Sequence, residues 1–467
     1  RRQRQMCIRD SLLIGPPGTG KTNLALKSMV QEYLLTAEAA NRNCETYYHD
    51  NALLLTAYTN RAVDEICSML DNLSQSMSFD YLRIGSEQTT AAVHHSHLLS
   101  VRAHNLPNRK VALSMIQNIP IIVGTVVSLT NAQIIFNKKR FHTAIIDEAS
   151  QLLEPQILGL LSAKVNGENA IQKFVLIGDH KQLPAVVQLP ENQTMVEVKE
   201  LHQIGLFNLR NSLFERLHWL EKNHDRSNFV GLLNHQGRMH SDIAQFVNAK
   251  FYDGKLCVVP LPHQIEKLDW QHTDNIYEQF VAQTRIGFVR IAQLKNTDNL
   301  CVNIPEASAI TKIIEAICTL HSKNALENFE PAKQIGIIVP FRSQISAIRN
   351  SLRKQGLACA DTITIDTVEC YQGSQRDYIL YSTTISEPYQ VHIISNLQEI
   401  DGNIVDRKLN VALTRARKQL FIFGNPEILR HSPLYSDLMS YCRHLDMMST
   451  SSVSYTHLRA HETLRHL

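Results

Sequence analysis

The chain contains no stretch approaching the roughly 18 uninterrupted apolar residues that a membrane helix requires. It also shows no N-terminal segment with an apolar centre followed by a small-residue cleavage site. Together these absences set the expectation of a soluble, cytoplasmic protein with no membrane partner. The nine cysteines are scattered singly, and no two stand in C-x-x-C spacing. That argues against a zinc ribbon or an iron-sulfur cluster, so no structural metal is expected. Internal repeats and low-complexity linkers are missing as well, which removes solenoids and tethered modules from consideration.

A charge excess is also lacking once the ends are set aside. Arg1 to Ser11 (RRQRQMCIRDS) and Val453 to Leu467 (VSYTHLRAHETLRHL) resemble translated sequencing-library adapters, so 1–11 and 453–467 are expected to be artefacts of a fragment. Without them the formal net charge of +3 becomes −1, because the first end carries a net three positive charges and the second carries one. Any case for a polyanionic partner must therefore rest on local motifs and not on global charge.

What is present is a globular composition, 44% apolar over 467 residues, long enough for about two to four domains. Short apolar runs ending in Gly, Thr or Asp alternate with amphipathic, helix-length segments. The first series is Leu12 to Ile14, Leu53 to Ala57, Ile121 to Gly124, Ala144 to Asp147 and Phe174 to Gly178. A second comprises Gly287 to Ile291, Ile335 to Pro340, Thr362 to Asp366, Tyr378 to Thr383 and Leu420 to Gly424. Apolar strands alternating with helices predict an α/β fold, each domain a mostly parallel sheet with helices on both faces. The polar stretch Glu221 to Asn228 marks the boundary, giving domains over 12–222 and 223–452. Residues 86–118 break the alternation and read as an insertion in the first domain. The insertion carries His94, His95, His97 and His104, which without cysteine or acidic neighbours read as a solvated loop and not as a metal site.

The sharpest motif is Gly15-Pro16-Pro17-Gly18-Thr19-Gly20-Lys21-Thr22, which follows a strand and opens a helix. Glycines let backbone N–H groups face phosphates, Lys21 brings a positive charge to the β and γ groups, and Thr22 offers a hydroxyl to Mg²⁺. The expected ligands are ATP and Mg²⁺. Asp147 and Glu148 follow the buried strand Ala144 to Asp147, at the carboxyl edge where open α/β sheets bind ligands. Asp147 is expected to hold Mg²⁺, and Glu148 to orient and deprotonate the attacking water. In FVLIGDHKQLP, Phe174 to Pro184, Gln182 is placed to touch the γ-phosphate and that water.

In this order the three segments resemble those of superfamily 1 helicases, within the branch that holds the nonsense-mediated-decay RNA helicase and the helicase-nuclease of Okazaki-fragment processing. The match runs from Leu12 to about Asn425 and includes TAYTNRAVDEI (Thr56 to Ile66), Val123-Gly124-Thr125, Gln236 to His240, Ile338 to Arg342, Thr364 to Asp377 and Asp406 to Arg417. The resemblance implies two tandem RecA-like P-loop domains hydrolysing ATP between them, with Arg238 and Arg415 as arginine fingers and Gln375 at the ribose. It implies single-strand contacts at Thr59, Asn60, Thr125, Pro340 and Thr367, movement 5′ to 3′ and action as a monomer. DNA is favoured over RNA because His180 to Pro184 resembles the DNA-processing members.

The chain departs from the family at three positions. Gly237 stands where a ring usually stacks on adenine, Gln375 replaces an acid, and Ser241 replaces a proline. The family also places a barrel domain and an adenine-reading Gln ahead of the P-loop, whereas this chain enters it almost at once. The alternatives are an RNA helicase or ribonucleoprotein remodeller and, in another class, a P-loop ATPase of protein assembly that binds no nucleic acid.

Overall fold

Leu53, Leu54 and Leu55 sit in one strand and are all at most 1% exposed, although successive side chains point to opposite faces. A strand buried on both faces needs a helical layer on each side, and the computed structural model, which describes residues 11–41, 46–224, 229–292, 300–324 and 328–447, has that arrangement. The chain forms two compact units, Arg1–Asn234 and His235–Leu467.

The first unit is built on strands β1 (Ser11–Ile14), β2 (Ala52–Ala57), β3 (Tyr81–Ile84), β4 (Ile121–Thr125), β5 (Phe141–Asp147), β6 (Ile171–Gly178) and β7 (Val230–Leu232). They form one seven-stranded sheet in the order β3-β4-β2-β5-β6-β1-β7, and every pairing is parallel. One face packs Leu53, Leu55, Val123 and Ile177 against helices α1 (Lys27–Asn41) and α2 (Asn60–Ser74). The other packs Leu54, Ile122, Ile146 and Leu176 against Leu129, Ile157, Leu160 and Phe214. Phe214 belongs to helix α3 (Leu213–Asn223), which opens on a capping box formed by Ser212 and Glu215.

The second unit has β8 (Ile286–Arg290), β9 (Ile335–Ile338), β10 (Thr364–Asp366), β11 (Arg376–Ser382), β12 (Ala416–Gly424) and β13 (Arg443–Asp446). These make a six-stranded parallel sheet in the order β10-β9-β11-β12-β8-β13. Ile337, Leu380, Phe421 and Val289 pack under helices α4 (Ile304–Lys323) and α5 (Arg342–Lys354). Their neighbours Ile379, Tyr381 and Ile422 are buried on the opposite face. The expected α/β fold class, with helices on both faces of mostly parallel sheets, is therefore present in each unit.

Several differences from the sequence reading have physical causes. Strands β3, β7 and β13 were not expected, because YLRI, VGL and RHLD carry an arginine, a glycine or three polar residues in place of an apolar run. Strand β7 lies beyond the polar stretch at 221–228, so the chain returns to the first sheet after that stretch before the second unit begins. Ser11, expected to belong to an artefact, opens β1 and pairs with Val175. The rest of the adapter-like ends, 1–10 and 453–467, lies outside the described residues.

The insertion is helical, and the solvated-loop expectation fails for His94 and His97, whereas His104 is exposed. His94 is 2% exposed, with Nδ1 2.9 Å from Asp71 Oδ2. His97 stacks on Tyr81 at a ring separation of 3.9 Å and lies 3.6 Å from Asp71. The acidic partners exist, but they lie on α2 and just before β3 and not in the insertion itself.

Candidate nucleotide site

Because every strand of the first sheet is parallel, the loops after β1, β5 and β6 leave the same edge, and these loops carry the three motifs. The P-loop holds its shape through its glycines and one hydroxyl. Gly18 and Gly20 adopt φ of 76° and 78°, where a side chain is strained, and Thr19 Oγ1 donates to Pro16 O at 2.7 Å. Gly15 N donates to Gly178 O at 2.9 Å, tying the loop to the end of β6. A Cβ on Gly15 would fall 2.3 Å from Lys21 Cγ, so only glycine lets the lysine stem fold across the loop. The helix then opens with a wide turn, since Leu24 N and Ala25 N both reach Gly20 O.

Lys21 and Thr22 meet the acidic pair at this edge. Lys21 Nζ donates to Gly15 O at 3.0 Å and lies 3.5 Å from Glu148 Oε1. Thr22 Oγ1 donates to Asp147 Oδ2 at 2.7 Å. Glu148 has φ of 51°, a left-handed conformation uncommon outside glycine, and Gln151 Nε2 donates to its Oε2 at 3.3 Å. Asp147 is 3% exposed, and its carboxyl is raised above the usual range, first by burial and next by the neighbouring Glu148. A cation would relieve both effects. Thr22 and Asp147 supply two hard oxygens in contact, the donor type Mg²⁺ prefers.

Gln182 arrives from the loop after β6, and its Nε2 donates to Asp179 Oδ2 at 2.8 Å. Asp179 N in turn donates to Ser150 Oγ at 3.2 Å, so the Gln182 segment is anchored to the turn after Glu148. Sequence reading missed Asp179 and Ser150; their only signal was their position beside residues already singled out.

The remaining expected residues divide between the two units. In the first, Thr59 is the N-cap of α2, its Oγ1 accepting from Ala62 N at 3.2 Å, with Asn60 opening the helix. Thr125 caps the helix Val126–Asn131, accepting from Ser128 N at 3.1 Å. Both hydroxyls therefore have a capping role already.

In the second unit, Arg238, Gln375 and Arg415 come together around Thr414. Arg238 Nε donates to Gln375 Oε1 at 2.9 Å, and its Nη1 donates to Thr414 O at 3.2 Å. Arg415 Nη2 donates to Thr414 Oγ1 at 3.0 Å, and Nε donates to Val411 O at 3.0 Å. Its guanidinium is 1% exposed and bonds to Val411, Thr414 and Ser374 of its own unit. Gln236, fully buried, accepts from Arg238 N and Met239 N and so shapes the turn that carries Arg238. Pro340 and Thr367 follow β9 and β10 at the opposite, carboxyl edge of the sheet.

One family model, described as an AAA domain, matches residues 209–427, and a second of the same description matches residues 2–113 and 102–189. The DNA replication ATP-dependent helicase/nuclease DNA2 of Xenopus laevis is 28% identical, covering 89% of this chain and 35% of the relative. Regulator of nonsense transcripts 1 of Dictyostelium discoideum is 27% identical over 95% of this chain and 32% of its own length. Helicase sen1 of Schizosaccharomyces pombe is 29% identical over 76% of this chain and 18% of its length. The chain thus spans about a third or less of these relatives. With both AAA-domain models and the ordered motifs in agreement, the chain belongs to the superfamily 1 helicases of the type represented by these relatives.

Proposed function

We propose that this chain is the ATP-hydrolysing motor portion of a helicase that moves 5′ to 3′ along a single strand, with DNA as its polymer. The observation that carries the reading is the meeting of Thr22 with Asp147 at 2.7 Å and of Lys21 with Glu148 at 3.5 Å at the mouth of a glycine-shaped loop. Thr22 and Asp147 would hold Mg²⁺, which supplies charge neutralisation at the transferred phosphoryl group. Lys21 binds and orients the phosphates. Glu148 takes the proton of the attacking water, and Gln182 positions that water. Arg238 and Arg415 stabilise the charge that develops during transfer, and Gln375 serves the ribose.

Thr59, Asn60, Thr125, Pro340 and Thr367 form the strand grip, contacting backbone and not base edges. The DNA assignment is supported by the His180 to Pro184 segment and by the name of the Xenopus laevis relative, a DNA replication ATP-dependent helicase/nuclease.

The test is steady-state ATPase activity with single-stranded DNA, single-stranded RNA or neither, beside Lys21→Ala and Glu148→Gln. We expect stimulation by DNA well above RNA and a loss of at least about 100-fold in both variants. Equal or greater stimulation by RNA would move the protein to the ribonucleoprotein remodellers. Activity indifferent to both polymers would favour a protein-assembly ATPase.

A further inference from the structure

The second unit contains a fully buried carboxylate that the proposed chemistry does not use. Glu306 sits in the first turn of α4, after the N-cap Asn303, and is 0% exposed. Among the described residues, none of its partners is a cation. Its oxygens instead collect neutral donors: Ser382 Oγ at 2.5 Å, Thr384 N at 2.9 and 3.1 Å, Asn303 Nδ2 at 3.2 Å and Thr383 Oγ1 at 3.4 Å. Burial in this way disfavours the charged form of a carboxyl, and the surrounding donors and the helix N-terminus offset that only in part. Burial pushes it up to about 8 against the pull of these donors.

What the carboxyl holds explains its presence. Ser382 ends β11, and the following Thr384 adopts φ of 60°, an outlying conformation for a β-branched residue. Such strain persists only where surrounding contacts over-determine it, and both Glu306 oxygens accept from the Thr384 amide.

A second side chain extends the arrangement to the adjacent strand. Gln344 is fully buried in the first turn of α5, directly after the Pro340–Arg342 loop, and its backbone N donates to Phe341 O. Its Oε1 accepts from Asn303 N at 2.8 Å, while Nε2 donates to Asn303 O at 3.0 Å and to Ser382 Oγ at 3.4 Å. One buried network therefore ties the first turn of α5, which follows the end of β9, and the end of β11, its neighbour in the sheet, to the start of α4.

We infer that Glu306 and Gln344 are positioning residues that lock the β11 end and the Pro340–Arg342 loop into a single rigid platform on which the nucleic-acid strand rests. The inference rests on the proposed helicase reading. It adds two residues that touch neither strand nor nucleotide but set the geometry of those that do, in the manner of supporting shells elsewhere.

The test compares Glu306→Ala, Glu306→Gln and Gln344→Ala with the wild-type chain. The readouts are the single-stranded DNA concentration for half-maximal ATPase stimulation, the rate at saturating strand and the KM for ATP. Both alanine variants should raise the half-saturating strand concentration about tenfold, the size of losing one positioned buried partner, with KM for ATP within about twofold of wild type. Glu306→Gln should recover most of the loss, because the amide keeps one acceptor and the Ser382 hydroxyl can turn to accept from the other position. If Glu306→Ala does not fold, Gln344→Ala at the far end of the network carries the same expectation. Wild-type half-saturation in Gln344→Ala and in the folded Glu306 variants, in a protein that DNA stimulates, overturns the platform alone. No stimulation of the wild-type chain by any polynucleotide overturns the helicase reading and the platform with it.

Discussion

Gly15 shows how much of the nucleotide site is decided by a single hydrogen atom. Any Cβ there lands on the Lys21 stem, at 2.3 Å from Cγ and 2.5 Å from Cδ, while the glycine itself remains tied to Gly178 through its backbone. Gly15→Ala should therefore displace the lysine without unfolding the sheet. We expect ATP turnover to fall at least about 100-fold, approaching the Lys21→Ala variant, with a melting temperature within a few degrees of wild type. A variant that turns over ATP normally would show that the lysine reaches the phosphates by another path. The motif was legible because its residues are contiguous. Asp179 and Ser150, which hold Gln182 and the Glu148 turn in place, were not legible, since an aspartate and a serine at strand ends are common and only their 3.2 Å contact gives them meaning.

At the scale of elements, the strands with aliphatic runs could be read directly, whereas three of the four edge strands, β3, β7 and β13, could not. Strand β3 carries Arg83, which as a sequence symbol argues against a buried strand yet is 1% exposed. Its charge is met by Asp64 Oδ1 of α2 at 2.8 Å, while Nε donates to Thr90 Oγ1 at 3.1 Å and Nη1 to Cys67 Sγ at 3.3 Å. This one side chain ties α2, β3 and the insertion together. Arg83→Met strands Asp64 and should cost about 3 kcal/mol, seen as a lower denaturant midpoint at unchanged m value. Replacing both partners, Arg83→Met with Asp64→Leu, should recover most of that loss. If the double variant is no better than the single, the arginine acts by packing its stem and not by its charge. His94 and His97 of the insertion were misread for the same reason: a local window holds no sign of Asp71, which approaches only once α2 and β3 have packed. At the start of α3 a smaller signal was available in Ser212 and Glu215, whose spacing marks a capping box; Ser212→Ala should cost about 1 kcal/mol in the same assay.

Across the whole molecule, each parallel sheet directs its loops to two edges, and the two units use these edges differently. In the first, the P-loop, the acidic pair, Thr59 and Thr125 all leave the carboxyl edge. In the second, Arg238, Gln375 and Arg415 gather where β11 and β12 begin, while Pro340, Thr367 and the Glu306 network lie where strands end. The fold class followed from alternation alone, but this division could not, because it depends on which sheet edge each motif reaches.

The second unit also carries a histidine that the folded chain keeps neutral. His321, near the end of α4, stacks on Phe329 at 3.7 Å, meets Trp270 edge-on at 5.0 Å and places Nε2 2.8 Å from the Tyr378 hydroxyl. Burial, and next the charge of Lys418, push its pKa down to about 4. An unfolded histidine titrates near 6.5, so between these values the unfolded chain binds the proton that the folded chain refuses. Stability from the neutral ring is present above about 6.5 and is lost as pH falls toward 4. Lowering the pH from 7 to 5 should reduce the wild-type melting temperature by a few degrees more than that of His321→Phe, which keeps the stacked ring and cannot titrate. Equal acid shifts in the two proteins would place the acid sensitivity in other groups and leave His321 as packing alone.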